Sequence, residues 1–163
     1  MLKPDFYFDS IFQLPYEHLY KQGVRGLIYD IDNTLASHAD KYPPVKIISL
    51  IKRLQKMGFK VGLLSNNSYK RLAVFNQTMR LPGTARAGKP FAAALRKLMK
   101  KMDVNPKETA IIGDQLFADI WCGKRAGVMT VLVKPITEKE VVTVRIKRGL
   151  ERWVLKRYYE QGV

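Results

Sequence analysis

Two carboxylates, Asp30 and Asp32, stand two residues apart directly after a short apolar run at residues 26–29. Neighbouring carboxylates repel each other and are costly to desolvate unless a cation or a reaction uses them. In an extended chain, side chains two residues apart point to the same side. The spacing therefore suits either a pair in which one carboxylate attacks a substrate while the other transfers a proton, or a metal site without catalysis.

Further polar residues follow later apolar runs, and their chemistry suits a phosphate ester. Ser65, 35 residues after the first carboxylate, and its neighbour Asn66 are short hydrogen-bond donors for phosphoryl oxygens. Lys89, 24 residues beyond Ser65, would offset phosphate charge. Asp114 would supply the hard oxygen ligand that Mg²⁺ prefers, and Asp119 follows five residues later. Each residue alone suits an ordinary turn or surface, but their order at successive strand ends predicts one site.

Alternating apolar runs would position these residues. Strands are predicted at 25–30, 59–64, 84–87, 109–113 and 128–133, and helices at 43–57, 67–79, 90–102 and 115–126. Gly58 and Gly127 predict helix ends, and either Asn67 or Ser68 predicts a helix start. Strands that alternate with helices predict an α/β fold, a parallel sheet with helices on both faces. Ligands bind such sheets at the carboxyl ends of the strands.

Residues 24–133 resemble the haloacid dehalogenase (HAD) superfamily of phosphohydrolases through four short motifs. The motifs are Asp30-x-Asp32-Asn33-Thr34-Leu35, Ser65 with Asn66, Lys89-Pro90, and Gly113-Asp114 with Asp119. The sequences of these motifs are most similar to those of the YqeG-like family of subclass III A, to which a mitochondrial phosphatidylglycerophosphate phosphatase is related. One departure is Ala118, where this family has Thr. The resemblance implies a Rossmann-like HAD core and Mg²⁺-dependent phosphatase activity.

The resemblance also implies a role for each residue that handles the substrate. Asp30 would be the nucleophile and form an aspartyl-phosphate, which splits one displacement into two. Asp32 would protonate the leaving oxygen and then deprotonate the attacking water. Ser65 and Lys89 would hold the transferring phosphoryl group, with Lys89 counted as catalytic. Thr34 would form a hydrogen bond in the nucleophile loop. Thr34 and Asn66, the neighbour of Ser65, would both be substrate-binding residues.

For the metal, the resemblance implies a site made of three aspartates. The side chains of Asp30 and Asp114 and the backbone carbonyl of Asp32 would ligate Mg²⁺. Asp119 would orient Asp114 or a metal-bound water.

The distances between the motifs predict that no cap domain covers the site. Many HAD enzymes insert a cap between the first and second motifs or between the second and third. Here these intervals are 35 and 24 residues, and each is filled by one helix and one strand. An uncapped site is open, which favours large or surface-bound substrates.

The net charge of +15 comes entirely from basic residues in the middle of the chain. Residues 41–102 contain fifteen Lys and Arg and no Asp or Glu, whereas the rest of the chain sums to zero. The pattern indicates either a solvated surface or a positive field that faces a phosphorylated substrate, a nucleic acid or an acidic lipid. A stretch this long without an acid favours the anionic partner.

Two segments are predicted, residues 1–134 as the HAD-like domain and residues 135–163 as a C-terminal tail. The residues before Arg25 form a lead-in in which Pro15 starts a short helix. The tail has a basic amphipathic helical pattern, with an apolar stripe and a basic flank: Val142, Ile146, Leu150, Trp153 and Val154, beside Arg145, Arg148, Arg152 and Lys156. Such a helix would dock on the core or touch an anionic membrane or a partner.

Composition excludes several other classes of protein. The longest uncharged stretch, 61–69, has nine residues, whereas a membrane-spanning helix needs roughly 20 apolar ones. The first residues lack the apolar region of a secretory signal peptide, and the single cysteine, Cys122, cannot form an intrachain disulfide. We therefore expect a reducing, cytoplasmic setting, with a peripheral contact to the inner face of the membrane. His38, near the first motif, is predicted to be a solvated loop residue.

Three functions remain open from the sequence. The first is a phosphatase for a phospholipid head group such as phosphatidylglycerophosphate. The second is a phosphatase for a nucleic-acid end or a small metabolite, although no aromatic and basic RNA-binding motif is present. The third is a basic binding module with an inert phosphatase fold, which the complete set of motif residues disfavours.

Overall fold

The computed structural model describes residues 2–137, 149, 151–153 and 155–156. The strands are β1 (Phe6–Phe8), β2 (Gly26–Tyr29), β3 (Lys60–Leu64), β4 (Gly83–Thr84), β5 (Thr109–Gly113) and β6 (Met129–Val133). The helices are α1 (Tyr16–Lys21), α2 (Val45–Lys56), α3 (Tyr69–Asn76), α4 (Ala93–Met102) and α5 (Trp121–Ala126). The strands form one sheet in the order β1-β6-β5-β2-β3-β4, and every described pairing is parallel. The α/β fold predicted from the sequence is confirmed.

The central strands are buried on both faces because alternate side chains enter two separate apolar layers. On one face, Leu27 and Leu63 pack in a cluster with residues of α1 and α2. On the other face, Ile28 and Leu64 pack in a cluster with residues of α4 and α5. Because both faces are buried, the sequences of these strands are continuous apolar runs. It also fixes the sheet rigidly beneath the residues at its carboxyl ends.

The predicted lead-in also contributes a strand to the sheet. β1 lies parallel to β6, with Phe6 opposite Val131, and adds a sixth strand at the edge. Asp5 fixes its start, because the Asp5 carboxylate accepts hydrogen bonds of 2.8 Å from both the backbone N–H and the hydroxyl of Thr130. Three residues on an exposed edge carry too little apolar pattern to predict a strand. The short helix after Pro15 is present as α1.

Two helix predictions need correction near the carboxyl ends of the strands. The fourth helix begins at Ala93 and not at Pro90, because a turn precedes it in which the Phe91 N–H donates to the Gly88 carbonyl. Phe91 therefore lies before the helix, outside its buried apolar face, and is 67% exposed. The predicted helix at 115–126 divides into a π-helical turn at Leu116–Ile120 followed by α5. Its predicted end at Gly127 is confirmed, with a left-handed φ of 75°.

Only part of the predicted tail lies within the described residues. There, Glu151 is buried and accepts a 3.2 Å hydrogen bond from the backbone N–H of Phe117, and Leu155 packs beside Leu116. Trp153 of the apolar stripe is 60% exposed. The other predicted stripe residues and part of the basic flank lie outside the described residues: Val142, Ile146, Leu150, Val154, Arg145 and Arg148. The division at residue 134 stays a prediction.

None of the helices among the described residues has both the length and the apolar character needed to cross a bilayer.

Candidate active site

The loops that follow the strands surround an open cavity of about 320 Å³ at the carboxyl edge of the sheet. Its lining comes from residues far apart in the chain: Asp30, Asp32, His38, Ser65, Asn66, Asn67, Lys89, Gln115 and Ala118. The chain between the first two motifs contains α2 and β3, and the chain between the second and third contains α3 and β4. Each interval thus belongs to the core, as the motif spacing predicts.

Lys89 lies at the bottom of this cavity and joins two carboxylates. Its ammonium nitrogen is 2.6 Å from Asp30 Oδ1 and 2.6 Å from Asp119 Oδ1, and it also donates to the Leu64 carbonyl at 3.0 Å. Burial disfavours the ammonium, but the carboxylates of Asp119 and Asp30 favour it more strongly, so the pKa of Lys89 is raised. Lys89 is therefore a fixed, charged group.

A third carboxylate joins the two that Lys89 contacts. Asp30, Asp114 and Asp119 are all buried, and each has an oxygen within 4.8 Å of the other two. Burial raises the pKa of Asp30 well above its usual range, and although Lys89 lowers it, the charges of Asp119 and Asp114 raise it further. The Thr34 hydroxyl lies 3.3 Å from Asp114 Oδ1 and 3.5 Å from Asp30 Oδ2. The bottom of the cavity therefore carries a surplus of buried negative charge.

The π-helical turn and a glycine bring Asp119 to this cluster. Asp119 Oδ2 accepts a 3.1 Å hydrogen bond from the backbone N–H of Gln115, which orients the carboxylate toward Lys89. A Cβ at Gly113 would overlap the Asp119 carboxyl group, so only glycine fits there. This contact gives a physical reason for the Gly-Asp pair in the fourth motif.

Asp32 occupies a different part of the same cavity. Its Oδ2 accepts a 3.0 Å hydrogen bond from the Asn67 side chain, and its Oδ1 accepts two from the Arg71 guanidinium, at 3.2 Å from Nε and 3.0 Å from Nη2. His38 Nδ1 lies 3.6 Å from the same Oδ1. Arg71 also donates to the Lys41 carbonyl at 3.1 Å, which ties the nucleophile loop to α3.

Ser65 and Asn66 follow β3 but make different contacts. The Ser65 hydroxyl is buried at the cavity and accepts a 3.0 Å hydrogen bond from the Asn67 backbone N–H. The Asn66 amide pairs with the backbone of Lys89, accepting from its N–H at 2.8 Å and donating to its carbonyl at 3.2 Å. Asn66 thus positions Lys89, and its predicted contact with substrate stays a prediction.

Three helices point their amino ends toward this edge without any acidic residue in the first turn. α2, α3 and α4 all lack Asp and Glu there, although acids are the usual stabilising choice at this position. Lys46, Lys70 and Arg71 occupy the first turns of α2 and α3 instead. The helix dipoles and these cations add, so the region around the cavity attracts anions.

The HAD-hydrolase-like family model matches residues 86–140 of the chain. The fold is similar to the cobalt-bound form of a deoxy-D-mannose-octulosonate 8-phosphate phosphatase from Haemophilus influenzae, with a TM-score of 0.58 at 22% identity, covering 77% of this chain and 72% of that one. The family match and this similarity identify a HAD-hydrolase-like fold.

Curated relatives narrow the class. The chain is 30% identical over 159 residues to the probable phosphatase YqeG of Bacillus subtilis, which covers 98% of this chain and 92% of that protein. It is 28% identical over 162 residues to the chloroplastic/mitochondrial phosphatidylglycerophosphate phosphatase 1 of Arabidopsis thaliana, covering 92% of this chain and 46% of the relative. The chain belongs to the YqeG family of HAD phosphatases.

The structure brings the predicted site residues together and adds three that the sequence did not single out for the site. Arg71 and Asn67 hold Asp32, and His38, predicted to be a solvated loop residue, lines the cavity although it is 61% exposed. A sequence signal existed for Arg71, because the Ser68 cap places it in the first turn of a helix that starts at the site. The chemical roles of all these residues stay predictions.

Proposed function

We propose that the chain hydrolyses a phosphomonoester with Mg²⁺, through an aspartyl-phosphate on Asp30, and that the substrate is phosphatidylglycerophosphate. The observation that carries the mechanism is the position of Asp30 at the bottom of an open cavity, between a charged lysine and two further carboxylates. The product would be phosphatidylglycerol.

Contacts on both carboxylate oxygens orient Asp30 for attack. Lys89 holds Oδ1 at 2.6 Å, and the Thr34 hydroxyl lies 3.5 Å from Oδ2, so the carboxylate plane is fixed before substrate binds. An Asp30 oxygen attacks phosphorus, the P–O bond to the leaving alcohol breaks, and the phosphoryl group is left on Asp30. Lys89 and Ser65 stabilise the phosphoryl oxygens, on which negative charge is spread in the transition state.

Asp32 would transfer the proton that each half of the reaction requires. It gives a proton to the oxygen of the leaving alcohol, and it then takes one from the water that hydrolyses the aspartyl-phosphate. Asn67 and Arg71 hold its two oxygens at the wall of the open cavity. Asp32 therefore remains near the solvent from which both the leaving alcohol and the water approach.

The chemistry of the donor set fits Mg²⁺. Carboxylate oxygens are its preferred protein ligands, and Asp30, Asp114 and Asp119 offer three within 4.8 Å of one another. Asp30 and Asp114 would hold the ion together with the Asp32 carbonyl, while Asp119 stays bound to Lys89. When bound, Mg²⁺ neutralises negative charge so that an anionic nucleophile approaches an anionic phosphate.

The lipid substrate is supported by the relatives and by the surroundings of the cavity. The Arabidopsis relative is a phosphatidylglycerophosphate phosphatase, the cavity is open, and the acid-free middle of the chain places cations near it. A reducing cytoplasmic location suits the buried free thiol of Cys122. Another phosphorylated metabolite or a nucleic-acid 3′ end is the second candidate, because the same positive field suits both.

Replacing Asp30 by Asn tests the mechanism. We expect hydrolysis of an aryl phosphate to fall about a thousandfold or more, because the amide cannot form the covalent intermediate. The circular dichroism spectrum and the cooperative melting transition should persist, since the substitution also relieves repulsion among buried carboxylates. Activity near that of the native chain in a folded Asp30→Asn variant would contradict the assignment.

The substrate is tested by a panel measured side by side with Mg²⁺. We expect kcat/KM for phosphatidylglycerophosphate in mixed micelles to exceed those for an aryl phosphate and a 3′-phosphorylated oligonucleotide. Preference for the oligonucleotide would favour the second candidate. Release of phosphate from the aryl substrate alone would leave the mechanism intact and remove the lipid from the proposal.

A metal-binding measurement tests the cofactor without turnover. We expect MgCl₂ to raise the melting temperature more than NaCl of equal ionic strength, because binding to the folded state stabilises by about 2.7 kcal/mol at a hundredfold excess over Kd. Asp114→Asn should remove most of the difference between the two salts. An equal response to both salts in the native chain would contradict a specific site.

A further inference from the structure

The exposed apolar side chains lie mainly on one face of the molecule. Six large hydrophobic residues that are at least 45% exposed lie in the connections after the carboxyl ends of strands, and we call them the rim: Phe12, Tyr42, Val45, Tyr69, Phe91 and Ile136. The connections at the amino ends of the strands carry no exposed large hydrophobic residue within the described part of the chain. Single exposed apolar residues are ordinary, but this concentration on the face of the cavity is not.

Backbone contacts join the rim to the residues that line the cavity. Tyr69 follows Asn67 by two residues, and the Arg86 N–H donates to the Asn67 carbonyl at 2.9 Å. Phe91 follows Lys89 by two residues, and the Ile136 N–H donates to the Asn33 carbonyl at 3.1 Å in the nucleophile loop. Tyr69, Phe91 and Ile136 therefore lie beside the residues that line the opening of the cavity, and Phe12, Tyr42 and Val45 follow strands at the same edge of the sheet.

A lysine or arginine side chain lies over the ring of each aromatic residue of the rim. Lys46 lies 5.3 Å from the ring of Phe12, and Lys41 lies 5.4 Å from the ring of Tyr42. Arginines lie 5.5 Å from the rings of the other two, Arg86 at Tyr69 and Arg125 at Phe91. The same surface is thus apolar and positively charged.

We propose that the rim docks the protein on the surface of an anionic phospholipid bilayer, with the cavity facing the head groups. Aromatic and aliphatic side chains enter the head-group region, while Lys and Arg are drawn to anionic lipid, so one surface satisfies both. The inference rests on the proposed function, because it explains how a lipid phosphate reaches a cavity at the surface of the protein.

Charge and chemistry favour a bilayer over other occupants. A second copy of this face would bring like charges together. A nucleic acid would use the aromatic rings for stacking, but Val45, 79% exposed, and Ile136, 52% exposed, have no ring to stack on a base. Insertion between lipid head groups uses aliphatic and aromatic side chains alike.

The test is vesicle co-sedimentation of the full chain, with matched triple variants. Vesicles of phosphatidylcholine are compared with vesicles that also contain phosphatidylglycerol. One variant, Lys41→Gln/Lys46→Gln/Lys70→Gln, removes three charges beside the cavity. Its control, Lys56→Gln/Lys100→Gln/Lys107→Gln, removes three exposed charges at the opposite edge of the sheet, so both have the same net charge.

We expect binding to the anionic vesicles only, with an apparent Kd that rises about tenfold or more in the first variant and less than about twofold in the control. A third variant, Tyr42→Ser/Val45→Ser/Tyr69→Ser, keeps the net charge and should weaken binding by about tenfold. Equal losses in the two charge variants, an unchanged third variant, or tighter binding to a single-stranded oligonucleotide would overturn the proposal.

Turnover separates this inference from the proposed function. The third variant should hydrolyse an aryl phosphate like the native chain, and the two charge variants should keep its kcat, because none of the three changes a residue of the cavity lining. Vesicle binding without hydrolysis of phosphatidylglycerophosphate would retain the docking surface and remove the lipid substrate. Hydrolysis in micelles without vesicle binding would remove the docking surface alone.

Discussion

Asp30 and Asp32 are two residues apart in the chain, yet they lie in two regions of the cavity with opposite surroundings. The region that we call the floor contains Asp30, Lys89, Asp114 and Asp119. Of these side chains, Lys89 is 3% exposed and Asp119 1%. In the region that we call the wall, Asp32 contacts Asn67, Arg71 and His38. The side chains of Asp30 and Asp32 are similarly buried, at 9% and 11% exposed, and the difference lies in their partners, because Arg71 is 14% and His38 61% exposed.

The two regions hold their carboxylates by different means. On the floor, strand ends and a buried lysine fix Asp30, so the geometry is part of the fold. On the wall, side chains of a helix and a loop fix Asp32, which is nearly as buried as Asp30 but has partners that reach the solvent. A nucleophile needs an invariant position, whereas a residue that gives and takes protons needs access to water and to the leaving group. Substitutions on the floor should therefore affect both stability and activity, and substitutions on the wall mainly activity.

Lys89→Met should give the largest effect, because it removes the only described cation from three buried carboxylates. We expect the free energy of unfolding to fall by about 3–5 kcal/mol and phosphate release to fall by about a hundredfold or more. Urea denaturation and an aryl phosphate assay measure the two losses. The control is Lys97→Met, which replaces an exposed lysine of α4 and should change neither.

The double variant Lys89→Met/Asp119→Asn allows the test to be made even if the single variant Lys89→Met does not fold. Because it also removes one buried carboxylate, it should recover part of the lost stability but none of the activity. A fully stable Lys89→Met protein would contradict the view that Lys89 stabilises the fold by compensating buried carboxylates of the floor.

Asp32→Asn should reduce activity with little loss of stability. We expect the free energy of unfolding to change by less than about 1 kcal/mol, because asparagine keeps the shape of the buried side chain and the partners Arg71 and His38 retain access to water. The rate should depend on the leaving group: about a hundredfold loss for an alkyl phosphate, whose alcohol needs a proton, and a much smaller loss for a nitrophenyl phosphate in the first half-reaction. Pre-steady-state phosphoryl transfer measures that half-reaction. Equal losses for both substrates would show that Asp32 is not the acid.

The floor is the part of the site that the sequence predicts best. Asp30 and Asp114 follow apolar runs directly, so local pattern and strand topology together place them at one edge. The π-helical turn could not be predicted, because periodic apolar residues at 115–126 also suit an α-helix. The turn depends on the contacts of Asp119 with Lys89, 30 residues away, and with the backbone of Gln115.

The wall depends on contacts that leave almost no local pattern. Arg71 reaches Asp32 across 39 residues of sequence, and it is one of 29 Lys and Arg in the chain. β1 is missed for a similar reason, since three edge residues become a strand only through their pairing with β6. The sequence does not show which of many similar cations pairs with Asp32, because that pairing is set only by the folded structure.

Arg71→Gln should give the smallest of these effects and decides whether the wall acts through Asp32. We expect about a tenfold fall in kcat for an alkyl phosphate, little change in KM, and a smaller fall for a nitrophenyl phosphate, as for Asp32→Asn. Lys70→Gln, one residue earlier and exposed, is the matched control. If Arg71 only orients Asp32, the substitution should cost almost nothing further in an Asp32→Asn background, because both changes remove the same interaction. Additive losses would instead assign Arg71 a separate contact with the substrate and divide the wall into two independent parts.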